Sequence, residues 1–259
     1  MKSKLFTFLV VVGALAMAGA VLGRIAKPAW TAARERQPAL RLDSSMAAAG
    51  QGVTLALLGG FRALVADAAW IRMYVLWEKR DLPAADTLIR LVAAIDPRPI
   101  YFWLNGARIL AYDFPVWRIH AAGGFDTVAA QEQERIGLEQ GQVALRHLDA
   151  AMVFHPANAD LWIERANIQL NRLRDLSGAA ESYRRAWAQP KAPYYAARMH
   201  AELLRRAGRK GEALAWLVQL HPTLPLGDEP AGTEVVLGRI RDLERELGVA
   251  PEQFYRPAR

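Results

Sequence analysis

Small and apolar positions return in a fixed order along this chain. Ala213 is followed by Leu217, Leu220 and Pro225, at +4, +7 and +12. The same frame starts at Ala85 (Ile89, Val92, Pro97), at Ala144 (Leu148, Ala151, Pro156) and, with its proline one residue early, at Ala179 (Tyr183, Ala186, Pro190). Positions +4 and +7 lie on the same helical face as the first. Each frame therefore predicts a helix that buries one stripe and stops near a proline, which cannot continue the hydrogen-bond ladder. Two helices that cross closely need a small side chain at the contact, because a large one overpacks it at a cost of about 1–3 kcal/mol.

The four alanines stand 59, 35 and 34 positions apart. A companion helix should precede each by about sixteen positions, half of a 34-residue unit. Trp162 stands 17 residues before Ala179, but Trp103 stands 41 before Ala144; Trp103 to Trp162 is again 59, and Trp70 to Trp103 is 33. An insertion of about 25 residues, placed at about 113–137, accounts for the offset, and the register resumes after it. The inserted stretch, DFPVWRIHAAGGFDTVAAQEQERIG, holds Pro115, Gly123 and Gly124 and reads as a loop. Its Phe114, Trp117, Ile119 and Phe125 either form an exposed contact surface or fold back onto the second hairpin.

Two further stripes mark the ends. Leu57, Phe61, Leu64, Ala68, Ile71 and Val75, spaced 4, 3, 4, 3, 4, predict one helix from about Val53 to Trp77 that covers the first hairpin, with Arg62 and Asp67 placed to pair inside the stack. Val236, Ile240, Leu243 and Leu247, with charged residues between them, predict a capping helix that starts at Thr233 and stops at Gly248. A stack of hairpins needs such covers, since its last apolar face would otherwise meet water. Gly208 is placed to make the turn of the last hairpin.

A period near 34 is the tetratricopeptide length. Through WIERANIQL, AAESYRRAWAQP and AGRKGEALAWL the chain resembles a tetratricopeptide repeat (TPR) protein from about Ala66 to Pro225, three-fifths of its length. The resemblance implies an all-α, TPR-like helical-hairpin solenoid of about four hairpins, departing from the pattern by Pro83 in the first turn and by the insertion in the second unit. It also implies a role. In TPR proteins the first helix of each hairpin lines a concave groove, which maps here to Tyr74, Trp77, Tyr101, Arg108, Tyr112, Asn167, Asn171, Tyr195, Arg198, Glu202 and Arg205. Tyr, Trp and Arg are the residues that binding hot spots favour; half-buried packing is the other reading of the same rings. Asn167 and Asn171 resemble the asparagines with which some family members hold a peptide carboxylate, but the matching lysines are missing. The segment Leu57–Lys79 resembles one found after the membrane anchor of some bacterial repeat proteins, which implies architecture only.

The first residues add a location. Leu5 to Leu22 carries no charge and no proline. As a helix it would reach about 27 Å, close to the hydrocarbon core of about 30 Å. With Lys2 and Lys4 before it, residues 1–23 read as a transmembrane anchor, or as a signal segment cleaved at the small residues between Ala16 and Ala20. Residues 24–52 read as a linker, 53–228 as the solenoid and 229–259 as the capping helix and tail. The short basic start favours a body on the periplasmic or external side; Arg24, Lys27, Arg34 and Arg36 after the segment favour the cytoplasmic one.

Composition mainly excludes. The chain has no cysteine, which removes disulfides, thiolate metal sites and cysteine nucleophiles. No two of His120, His147, His155, His200 and His221 stand three or four apart, so no metal site is expected. His155 and His221, each before a proline, read as helix-terminal or packing residues. The five serines have no nucleophile-elbow setting, and the glycine pairs lack a phosphate loop's lysine. No cofactor and no enzymatic activity are expected. A formal net charge of +7 favours anionic neighbours. The expected function is a membrane-tethered scaffold for another protein's peptide or helix in the cell envelope. The alternative is a basic face that binds an anionic lipid, polymer or nucleic acid through Arg205–Lys210, Arg172, Arg174, Arg184 and Arg185; nucleic acid is the least favoured of these.

Overall fold

The structure, a computed structural model, describes residues 62–225 and 227–257. The expected anchor, the linker and the start of the first helix at Val53–Phe61 lie outside the described residues. The chain divides into two compact units, the first ending at Pro97 and the second beginning at Arg98. Among the described residues every regular element is helical. In the first unit α1 (Arg62–Glu78) packs on α2 (Leu82–Ile95). In the second, α3 (Ile100–Arg108) runs through a π-turn at Ile109–Asp113 into α4 (Phe114–Ala121). There follow α5 (Ala130–Phe154), α6 (Ala159–Asn171), α7 (Leu176–Trp187), α8 (Tyr194–Arg206), α9 (Lys210–Leu220) and α10 (Thr233–Glu246). Here α5 receives α3, α4 and α6, and from α6 to α10 each helix packs on the next.

The repeated frame is the second helix of each hairpin. Ala85, Ala144, Ala179 and Ala213 are all 0% exposed, and their +4 and +7 partners are buried with them. Turns follow from local chemistry. Asp81, Asn158 and Asp175 cap α2, α6 and α7 by accepting from the backbone N–H of Ala84, Leu161 and Gly178. Gly208 takes φ +79°, a left-handed conformation that costs other residues more. Pro83 lies in the first turn of α2, not in the connection before it; an N–H is not needed there.

The insertion is helix, not loop. It lengthens both arms of the second hairpin, so that α3, the π-turn and α4 run together from Ile100 to Ala121 and α5 extends to 25 residues. Phe114, Trp117 and Ile119 are buried, and Phe125, in the turn between α4 and α5, is the exposed one of the four aromatic and apolar positions. The ring spacing was helical, and Pro115 disguised it: proline lacks the N–H that would reach Ala111 and crowds that carbonyl. The chain absorbs this by widening, with the Phe114 N–H donating to Ile109 O, five residues back.

The two ends depart from the sequence pattern in detail. In α1 the buried positions are Ala66, Trp70 and Met73, while Leu64 and Ile71, expected in the core, are 64% and 66% exposed. Two apolar stripes run along this helix, and the one with the large tryptophan faces α2. Arg62 does pair, its Nε lying 3.7 Å from the buried Asp96. At the other end α10 buries Val236, Ile240 and Leu243, but Leu247, the C-cap residue just past its last turn, is exposed. The cap of α10 is Gly232 at φ +64°, not Thr233, whose hydroxyl donates instead to Pro225 O. Gly248 follows at φ +68° and ends the helix as expected.

His200 gives this packing a pH signature. This side chain is buried on α8 against α7 and α9: its Nδ1–H donates to Ala180 O at 2.7 Å, and the Trp216 ring meets it edge to face at 4.5 Å. Burial pushes the imidazole below its ordinary value; the Ala180 bond opposes this in part, and the Arg184 cation adds to the depression. A base whose folded pKa lies below its unfolded value binds more protons when unfolded, so stability falls as pH drops through about 6.5. The melting temperature is expected to decline from pH 7 to pH 5. In His200→Asn, which keeps a donor near Ala180 O, that decline should flatten, as thermal melts across the range would reveal.

Candidate functional site

Tyr101, Asn105, Arg108 and Tyr112 follow one another at +4, +3 and +4 along α3 and the π-turn, so they share a face. Across from them α6 offers Glu164, Asn167 and Asn171 at +3 and +4. Arg108 Nε donates to Glu164 Oε2 at 2.9 Å. The carboxylate is sealed, at 4% side-chain exposure, whereas the arginine is 54% exposed. Asn171 hydrogen-bonds the Tyr112 hydroxyl, and the Arg172 guanidinium lies 4.6 Å over the Tyr112 ring. From α7, the Tyr183 hydroxyl donates to Asn167 Oδ1 at 2.7 Å.

These groups form one electrostatic neighbourhood. Burial pushes the Tyr183 phenol up to about 12, and Tyr195, Glu164 and Tyr112 each add to the rise. Burial, then Asp160 and Glu164, raise Tyr195 at the start of α8. Tyr112 is raised by burial against the opposing Asn171 bond. Negative charge on any phenol here is disfavoured, so all three stay neutral at ordinary pH. Tyr101 and Tyr195 remain 48% and 42% exposed. The site is thus a floor of polar side chains already hydrogen-bonded to one another, with two tyrosine rings and one arginine reaching solvent.

The eleven groove positions fall into three sets. Tyr101, Arg108, Tyr112, Asn167, Asn171 and Tyr195 belong to the face just described. Tyr74 and Trp77 lie in the first unit, where Tyr74 stands edge-on to Trp70 at 5.7 Å and to Trp77 at 6.5 Å. Arg198, Glu202 and Arg205 turn toward the C-terminal cover. Arg198 Nη1 donates to the carbonyls of Pro230 and Ala231 at 2.9 and 2.7 Å, and Glu202 holds Arg205 at 2.7 Å and stands 3.8 Å from Arg239. Arg198, Glu202 and Arg239 line a cavity of about 170 Å³ against Leu217 and Val236. Sequence reasoning missed Glu164 and Tyr183. Glu164 was legible, one turn before Asn167 on the same stripe; Tyr183 was hidden because its apolar ring had already been assigned to the repeat frame.

Most of the basic positions reach a carboxylate, while Arg172 lies over the Tyr112 ring. Glu181 takes both Arg184 and Arg185, at 2.8 and 2.9 Å, and hydrogen bonding to Arg184 before all else holds its carboxyl down to about 2. Arg174 reaches Glu134, Arg209 reaches Glu212 and Lys210 reaches Glu246. Among the described residues no group of three or more His, Asp or Glu side chains could hold a metal ion, and no helix is long and apolar enough to cross a membrane.

No protein-family model and no curated protein matches the chain. Among solved structures it is similar to a thermophilic TPR protein of Thermus thermophilus, with 20% identity over 80% of this chain and 98% of that one. The TM-score is 0.40, below the level at which a superposition speaks for a shared fold. The hairpin architecture rests on the packing of the helices themselves.

Proposed function

We propose that this protein is a non-catalytic scaffold that receives an extended peptide or a helix of another protein on the face carried by α3, α6 and the start of α8. The observation that carries this reading is the half-exposed Arg108, bonded to the buried Glu164 and on the same stripe of α3 as the exposed ring of Tyr101, with the exposed Tyr195 within the field of that same Glu164. A floor already hydrogen-bonded to itself needs little reordering on binding, and rigid aromatic rings give contact area at low entropic cost. Tyr101→Ala and Tyr195→Ala are exposed changes and should leave stability within about 0.5 kcal/mol. Each should weaken capture of the partner at least about tenfold, as a hot-spot residue does. Crosslinking of the full chain in its native envelope, with the captured protein identified first for the wild type and then quantified for both variants, tests this. Unchanged capture in both would overturn the assignment of the face.

In this reading residues 1–23 tether the body to a membrane, with the body on the periplasmic or external side. Its support is the uncharged run from Leu5 to Leu22 behind Lys2 and Lys4. An alkaline wash of membranes together with N-terminal sequencing separates a retained anchor from a cleaved leader. The competing basic-face reading is weakened by the ion pairs of Arg174, Arg184, Arg185, Arg205, Arg209 and Lys210, which reduce the charge those residues offer a polyanion.

A further inference from the structure

The exposed stripe of α1 has the spacing of a coiled-coil seam. Leu64, Ala68, Ile71 and Val75 stand 4, 3 and 4 apart, and in sequence the same period reaches back to Phe61 and Leu57. With Ala68 and Val75 at a and Leu64 and Ile71 at d, the residues that pack on α2, Ala66, Trp70 and Met73, fall at f and c, on the opposite side of the helix. The hairpin core therefore leaves this seam unused. Leu64 and Ile71 are 64% and 66% exposed, Ala68 is exposed and Val75 half-buried. An a/d stripe with a 3.5-residue period suits one kind of occupant, a second helix lying along it.

The flanking charges say which helix. Asp67 falls at g and Arg72 at e of the next heptad, and both are exposed. In a parallel pair g of one helix meets the following e of the other, so Asp67 of each copy would face Arg72 of its twin, twice over by symmetry. An antiparallel pair sets e against e and g against g, and these opposite charges never meet. Ala68 in the middle of the seam lets the two backbones approach closely. We propose that α1 pairs in parallel and in register with α1 of a second copy of this chain. Both copies then send their N-termini the same way, as two chains entering one membrane would; the pairing rests on α1 alone and does not depend on the scaffold reading.

The chain has no cysteine, so an introduced one reports without competition. In the full chain, held in mild detergent under oxidising conditions, Leu64→Cys and Val75→Cys should each yield a disulfide-linked dimer on a non-reducing gel. Same-position crosslinking toward both ends of the seam requires parallel, in-register helices. Asp67→Arg should weaken the dimer about tenfold in sedimentation equilibrium, by replacing two attractions with two repulsions. Asp67→Arg combined with Arg72→Asp should restore it. All four positions are exposed or half-exposed, and circular dichroism should show an unchanged helical fold. A monomer without crosslinks, as when the chain's own N-terminal segment covers the stripe, overturns the proposal. So does crosslinking at only one of the two positions, or a dimer indifferent to the charge exchange.

Discussion

Ala179→Leu is expected to lower stability by about 1–3 kcal/mol, or several degrees in melting temperature for a unit of this size. The site has no slack. Ala179 is 0% exposed, and α7 is pressed between α6 and α8 by Ala166, Ala180, Ala186, Ala196 and Ala197, all at 1% exposure or less. A core spaced by methyl groups brings helix backbones close, so an added isobutyl group must displace a whole helix and not merely rotate a neighbour. Because the helices from α6 to α10 each pack on the next, the strain should spread through this unit rather than stay local. Ala188→Leu, one residue past the end of the same helix and exposed, is the control and should melt like the parent. Equal melting temperatures for the two variants would mean that close helix approach does not hold this unit together.

Arg108→Ala should cost about 2–3 kcal/mol, less than the loss of a fully buried pair because the arginine is itself half in water. What remains is a carboxylate on Glu164 with 4% of its side chain exposed and its charged donor gone. Glu164→Gln in the same chain should recover most of the loss, since a neutral amide costs less to bury than an unpaired charge. Chemical denaturation of the two single variants and the double variant gives the coupling between the positions directly. Additive effects would show that Arg108 and Glu164 do not act as a pair. The result bears on the proposed binding face as well: if Glu164 depends on Arg108, a ligand carboxylate that drew the guanidinium away would leave Glu164 uncompensated.

How much could be read in advance varied from element to element. The alanine frame identified the buried stripe of four helices, because a small residue with apolar partners at +4 and +7 has few other uses. Gly208 and Gly248 were legible for a similar reason, since few residues tolerate their backbone conformation. The insertion misled because Pro115 and two glycines carry the same local signal in a loop as in a helix that bulges and then turns. On α1 the pattern held two stripes, and sequence alone chose the more regular one. Of the candidate face, the α3 and α6 positions were visible as a stripe; which side chains were already committed to one another was not.

The sequence by itself determined the period of the repeat and the buried stripe of the four helices that carry its alanine frame, because these depend on contacts between residues a few positions apart. Only the tertiary structure decided which of two apolar stripes α1 gives to its hairpin, which arginines keep a carboxylate and which reach solvent, and that Glu164 sits beneath Arg108. Those outcomes depend on what stands opposite each side chain, at separations such as the 56 residues between Arg108 and Glu164, where neither spacing nor local propensity carries information.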